Sequence, residues 1–442
     1  MTMPFPPESR LRSGRPWYCR PRLIIWICWF GLFSEGYDMG VLGAVLPGLL
    51  NDPAWHLGPT SASLLASAAM AGMFFGGYGF GVLSDRFGRK ACFIACLTLF
   101  SITSAAAAAA PTPLFFAAMR FLAGIGIGGI VPVAAAFACE FAPRGKINRE
   151  FAIMYSGYSL GIFAAALASF FLLQNAGWRP IVALGAAPLV LLPAILWLLP
   201  ESAAYLMGKG QNEKADAIAR RYGLDPADLA PPPAEGAIKP GVRALFADGH
   251  ARATLGFWLT TFTGMILVYG LNTWLPQIMR ASGYDLGPSI MFLGVFALAS
   301  SVGGIMLGRL ADRHGRAPII VAAFCGGAVA ILLLSHKWPL MMTYGIVAAA
   351  GVGTVSAAVM VTSYLSQYFS PTLRATAVGS CLSFSRMGSI CGPLLGGMIA
   401  TYQLDMAWNF IGFAAVAALS ALAIALVPRQ EGEAGAVAAC AA

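Results

Sequence analysis

Gly81-Val-Leu-Ser-Asp85-Arg86-Phe-Gly88-Arg89-Lys90 follows a long apolar run, and the chain repeats it as Gly308-Arg309-Leu-Ala-Asp312-Arg313-His-Gly315-Arg316. The offset is 227 residues, and Gly, Asp, Arg, Gly and Arg stay in register. A basic loop with a turn glycine is an ordinary feature when it occurs once. Two copies at one offset, each after an apolar run of similar length, point to a chain built from two related halves.

Working outward from the two loops, apolar runs long enough to cross a bilayer fall at roughly 23–48, 60–83, 91–110, 113–139, 150–173 and 180–199. A second set falls at roughly 253–279, 288–310, 318–335, 339–364, 375–400 and 406–427. The expected fold class is therefore all-α and integral to the membrane, with twelve transmembrane helices in two six-helix halves. The expected boundaries are a basic tail at 1–22, a first half at 23–199, a polar linker at 200–251, a second half at 252–428 and a tail at 429–442. The linker holds an amphipathic piece, Ala215–Tyr222, and a Pro231-Pro232-Pro233 run.

Charge placement tests this count. With the N-terminus inside, the inner segments hold 23 of the 28 Lys and Arg residues, and the outer loops hold only Arg179, Arg280 and Lys337. The positive-inside rule then places both termini in the cytoplasm. Displacing the count by one span would scramble that asymmetry.

Composition agrees. The chain is 58% hydrophobic and 11% charged, with a mean hydropathy of +0.73, where soluble domains carry about 25% charged residues. The runs lack the alternation of an outer-membrane barrel, so helices are what satisfies the backbone in lipid. The net charge of +9 sits in short loops between spans, which argues for membrane orientation and against nucleic acid. Nine scattered cysteines and four histidines show no ligand spacing, so neither a metal nor a cofactor is expected. No nucleophile–base pair or phosphate loop suggests an enzyme.

Span one carries Glu35-Gly36-Tyr37-Asp38 in mid-run. The two acids lie about 20 and 24 Å past Arg22 at the helical rise, three residues apart on one face. An ionised acid at mid-bilayer costs about 2.5–3.5 kcal/mol on the insertion scale, so it faces a cavity or a partner charge. Only two basic residues lie deep in spans: Arg120 in the outer half of span four, and Arg386 near the midplane of span eleven. Arginine stays charged and offers a planar fork that fits a carboxylate. One reading has these four charges bind a substrate and a proton; the other has them merely hold helices together.

The paired loop motif and the layout of six spans, linker and six spans resemble the major facilitator superfamily along essentially the whole chain. Within it, Glu35-Gly36-Tyr37-Asp38 resembles the Asp-Gly-x-Asp signature of the aromatic acid:proton symporters, with Glu in place of the first Asp. Arg120-Phe-Leu-Ala-Gly124-Ile-Gly126 in span four is similar to that family's pattern. So are Arg374-Ala-Thr-Ala-Val-Gly379 and Arg386-Met-Gly388 in span eleven, and Tyr269-Gly-Leu-Asn272-Thr-Trp274-Leu-Pro276 in span seven. The Gln-Gln pair of sugar porters is missing from span seven, and the Gly-Pro motif of proton-coupled drug exporters is missing from span five.

The resemblance implies alternating access, with spans one, four, seven and ten lining the cavity and span eleven beside it. It implies import of a small organic acid anion with protons across the cytoplasmic membrane by a monomer in the lipid bilayer. A benzoate-type acid is the first expectation; muconate, nicotinate or proton-driven drug export are the alternatives. Asp38 and Glu35 are the expected proton-coupling residues. Arg120, Arg386, Asn272, Tyr37, Tyr158, Trp274 and Phe384 are the expected substrate contacts, with Trp258, Phe262 and Tyr269 as further candidates for an aromatic wall. Gly81, Asp85, Arg86, Gly88, Arg89, Gly308, Asp312, Arg313, Gly315 and Arg316 are the expected gating motif, with Glu140, Arg144 and Arg374 as its charged neighbours.

Overall fold

The computed structural model describes residues 21–142, 147–224, 242–247, 250–402 and 407–428. Spans one to six are Pro21–Leu50, Pro59–Phe87, Arg89–Ala108, Pro113–Phe141, Ile147–Ala176 and Arg179–Leu198. Spans seven to twelve are Ala251–Ala281, Leu286–His314, Arg316–Leu333, Leu340–Tyr368, Pro371–Thr401 and Ala407–Ala425. Two short helices, Ala203–Gly208 and Asn212–Tyr222, and a 3-10 turn at Val242–Phe246 lie between the two sets. Ten of the twelve long helices are apolar enough to cross a membrane by length and composition. The two that fall short, spans one and eleven, carry Glu35 and Asp38, and Arg374 and Arg386.

Helix ends follow local chemistry. Proline opens spans two, four and eleven, where its missing N–H costs no hydrogen bond and its fixed φ suits a first turn. Thr112 caps span four by accepting from the Phe115 amide at 3.3 Å. Spans two and three, and spans eight and nine, meet at Gly88 and Gly315, whose φ values of 99° and 86° belong to glycine. The repeat seen in the sequence is thus one turn built twice, at the end of the bundle where span one begins. Arg22, Arg86, Arg89, Lys90, Arg309, Arg313 and Arg316 all lie at that end, hereafter the basic end.

At the far end the few cations are tied to helix C-termini, whose last carbonyls lack helical partners. Arg179 donates to the carbonyls of Ala108 and Ala110 at 3.0 and 2.9 Å. Lys337 donates to the Gly283 carbonyl at 2.8 Å, and Arg280 reaches the Pro47 carbonyl at 3.5 Å.

The two sets of six helices meet along spans one and seven, two and eleven, and five and eight. Contact is closest toward the far end. A Cβ on Gly43 would lie 1.9 Å from the Asn272 carbonyl oxygen, so any other residue there would push span seven off span one. The Thr60 and Thr401 hydroxyls pair at 2.8 Å, Ser67 donates to the Ile390 carbonyl at 3.0 Å, and Ser301 donates to Ser159 at 2.6 Å. These contacts sit at or beyond mid-depth. Toward the basic end a Cβ on Gly79, Gly81, Gly304, Gly308 or Gly379 would meet no atom within 4 Å. The named contacts between the two sets thus gather at and beyond mid-depth.

Candidate functional site

Gly36 explains how span one can carry two acids. A Cβ there would lie 1.9 Å from the Tyr158 carbonyl oxygen, so the absence of a side chain lets span five lie against span one. That approach brings the rings of Tyr155 and Tyr158 to the neighbourhood of Glu35. Glu35 and Asp38 are both buried, at 4% and 3% exposure. Although they share a helix face, the fold gives them different partners.

Asp38 pairs with Arg120, the Nη1 donating to Oδ1. Arg120 is itself only 3% exposed. The pair is half satisfied: Asp38 Oδ2 and Arg120 Nε and Nη2 are buried with no hydrogen-bond partner. An unsatisfied buried polar group costs about 1–3 kcal/mol, so this pair keeps valences open to a new partner.

Glu35 lies instead within electrostatic reach of Arg386 and of Tyr155. Tyr158, Tyr269 and Arg386 lie within electrostatic reach of one another and of Glu35, gathering spans five, seven and eleven at one place. Arg386 is half-buried and makes no ion pair within 4.0 Å among the described residues. Tyr155 is 44% exposed, which gives this cluster an open side. Below it, toward the basic end, Trp258 and Phe384 stack with centroids 5.1 Å apart, and Phe262 packs on Phe384 at 5.5 Å. The result is a cation with free donors, ringed by hydroxyls and floored by aromatic faces.

The other expected contacts are placed differently. The Tyr37 hydroxyl donates to the Ile181 carbonyl at 2.8 Å and serves the packing of span one on span six. Trp274 is buried, donates its indole N–H to the Pro393 carbonyl at 2.8 Å and packs against Gly396. Neither belongs to the aromatic floor. Asn272 donates to the Val268 carbonyl at 2.7 Å, and its Oδ1 is buried without a partner near the crossing of spans one and seven. Tyr155 was not anticipated. Its signal was the spacing Tyr155-x-x-Tyr158 around Gly157, which puts two phenols on one helix face.

At the basic end, Arg89 Nη1 reaches Glu140 Oε2 at 2.9 Å. Glu140 also accepts from the Ser202 hydroxyl at 2.6 Å and from the Ala203 and Ala204 amides. Glu201 Oε1 accepts from the amides of Arg89 and Lys90 at 2.9 and 3.0 Å, capping span three. This lock joins the first half to the start of the linker. In the second half Gln367 stands at the repeat position of Glu140, and Arg309, Arg313 and Arg374 are exposed. Arg144, the two tails and the linker's proline run lie outside the described residues, as does the side chain of Asp85. Among the described residues no cluster of His, Cys, Asp or Glu could hold a metal ion.

Comparison with known proteins agrees with this architecture. Residues 28–313 and 289–439 match the profile of the Major Facilitator Superfamily. The benzoate transport protein of Acinetobacter baylyi is 31% identical over 90% of this chain and 87% of its own. The gentisate transporter of Corynebacterium glutamicum is 32% identical over 92% of this chain and 87% of its own. The inward-open xylose transporter XylE from E. coli superposes with a TM-score of 0.76 at 17% identity, over 95% of this chain and 99% of that one. The chain belongs to the major facilitator superfamily, a family of multi-pass membrane transporters, and its similar relatives are carriers of aromatic acids rather than enzymes.

Proposed function

We propose that the protein imports a small aromatic carboxylic acid of the benzoate type together with a proton, by alternating access across the cytoplasmic membrane. The observation that carries this reading is the split of four intramembrane charges into two unequal sites. Arg386 keeps free donors beside an open tyrosine-lined space and an aromatic floor, which suits a ring bearing a carboxylate. Asp38 and Arg120 form a buried pair of their own, with Asp38 Oδ2 and Arg120 Nε and Nη2 still without a partner, which suits a protonation switch. Similarity to carriers of benzoate and gentisate supports the cargo class.

Counting charge gives the coupling. With Glu35 and Asp38 ionised and both arginines protonated, the empty site is neutral. A bound monocarboxylate leaves one negative charge in a poorly solvated enclosure, where uncompensated charge is costly. Protonating Asp38 restores neutrality and frees the Arg120 fork, so anion and proton bind with positive coupling. Glu35 tunes Arg386 and is the second candidate for the proton.

In this reading the basic end faces the cytoplasm with both termini, the described conformation is inward-open, and the carrier works as a monomer. The paired loop motif, with Asp85, Arg86, Asp312 and Arg313, biases the rocking of the halves at 23–199 and 252–428. Uptake of labelled benzoate into cells expressing the protein, with gentisate, muconate and nicotinate as competitors, tests the assignment. Strong competition by muconate or nicotinate alone would move the cargo outside benzenoid acids. Raised drug sensitivity on gene loss, with normal growth on aromatic acids, would point to export.

A further inference from the structure

The linker between the halves is anchored twice at the basic end. Its first anchor is on the first half, where Tyr222 packs edge-on against Phe141 at 5.4 Å and the Tyr205 hydroxyl donates to the Arg86 carbonyl at 3.1 Å. Its second anchor is the 3-10 turn Val242–Phe246, which contacts spans seven and eleven. Leu245 is fully buried there, and its carbonyl accepts from the Thr254 hydroxyl at 2.6 Å.

The next residue, Phe246, sets its ring edge-on to Trp258 at 5.7 Å and 89°. Trp258 in turn stacks on Phe384 at 5.1 Å and 22°, and Phe384 packs on Phe262 at 5.5 Å. Four rings therefore run without a break from the linker to Phe262, below Tyr269 on span seven, and Phe384, two residues before Arg386 on span eleven. Phe262 lies two helical turns below Tyr269, about 10 Å along span seven, and Tyr269 lies within electrostatic reach of Arg386. A ring anchored by its carboxylate at Arg386 and pointing toward the basic end would rest on this floor.

We infer that the linker turn Val242–Phe246 is a brace for the substrate site, with Phe246 as a positioning residue that fixes Trp258 and, through it, the aromatic floor under the bound acid. The inference rests on the reading of Arg386 and the aromatic floor as the acid site. An edge-to-face aromatic pair is worth about 0.5–1.5 kcal/mol beyond its buried area, which corresponds to about two- to tenfold in binding. Because Phe246 is 40% exposed, its replacement spares the core that Leu245 serves.

The test measures benzoate binding to purified full-length protein in detergent for wild type, Phe246→Ala, Phe246→Tyr, Trp258→Phe and Arg386→Lys. Binding is normalised to the folded fraction. Trp258 emission is read without ligand as the difference between each Phe246 background and the same background carrying Trp258→Phe. The brace predicts that Phe246→Ala shifts Trp258 emission and weakens benzoate binding about two- to tenfold, while Phe246→Tyr restores both. A turn that only shields apolar surface would lower thermal stability and leave the dissociation constant of the folded fraction unchanged. Wild-type affinity in Phe246→Ala alongside weakened Arg386→Lys overturns the brace and spares the acid site. If wild type binds no aromatic acid, the functional reading fails, and unchanged Trp258 emission in Phe246→Ala then overturns the brace as well.

Discussion

Arg120 and Arg386 are the same residue type in the same bilayer, and the fold gives them different work. Arg120 is buried and ion-paired with Asp38, so removing one partner strands a charge. Losing one member of a buried ion pair costs about 3–5 kcal/mol, whereas replacing both is far milder. Asp38→Asn should therefore lower the thermal stability of the purified protein strongly, and adding Arg120→Gln should recover much of the loss. An Asp38→Asn variant as stable as wild type would mean the pair does not hold spans one and four together. Arg386 carries free donors, so Arg386→Lys keeps the charge and loses the fork. Benzoate affinity should fall about tenfold or more, since hydrogen bonds to charged groups are worth about 1.5–3 kcal/mol. At this scale the acids of span one were legible from bilayer cost alone, and so was the choice between binding a substrate and pairing with Arg120 or Arg386. The division of partners was not legible, because it depends on span five passing over Gly36. Nor was the assignment of Tyr37 and Trp274 to packing, because each is fixed by one distant carbonyl, Ile181 and Pro393.

Helices were the most readable elements, since a membrane imposes length and apolarity on each one. Span boundaries read from the sequence fall within a few residues of those in the structure. Two local departures were not readable: the 3-10 turn Leu184–Ala186 in span six and the π turn Val352–Ser356 in span ten. The π turn lies where Gly353 presses against Gly327 of span nine, a tertiary contact with no signature in span ten alone. Contact between elements also sets the conformation. Gly43→Leu would collide with the Asn272 carbonyl and hold spans one and seven apart at the far end. With the nine native cysteines replaced, a single cysteine at Ser63 should then react faster with a polar maleimide than it does in the Gly43 background; an unchanged rate would mean this contact does not control closure. The far-end loop offers a separate test by pH. The Trp178 indole donates to Asp52 at 2.8 Å and, with the Ala54 amide and nearby Arg179, holds that carboxyl below the usual aspartate range. A depressed pKa contributes stability above the ordinary aspartate pKa, and that contribution is lost as pH falls through the folded-state value. Wild type should thus melt slightly higher than Asp52→Asn at neutral pH, and the gap should close in acid.

For the whole molecule, the duplicated loop was the deciding clue, because a fixed offset with matched residues requires two related halves. The structure adds an asymmetry the repeat concealed. The first half closes its loop on Glu140, Glu201 and Ser202, while the second half has Gln367 where Glu140 would be. The first-half lock is therefore expected to stay folded as a unit while the halves rock, and Arg89→Ala should reduce transport rate more than equilibrium binding. The central claim, that one anion and one proton move together, has a direct measurement. Purified protein is reconstituted into proteoliposomes, and uptake of labelled benzoate is followed under an imposed pH gradient, then under a potassium-diffusion potential at constant pH. The account predicts accumulation that follows the pH gradient and responds weakly to the potential. Strong acceleration by an inside-negative potential at constant pH, or no response to the pH gradient, would contradict it.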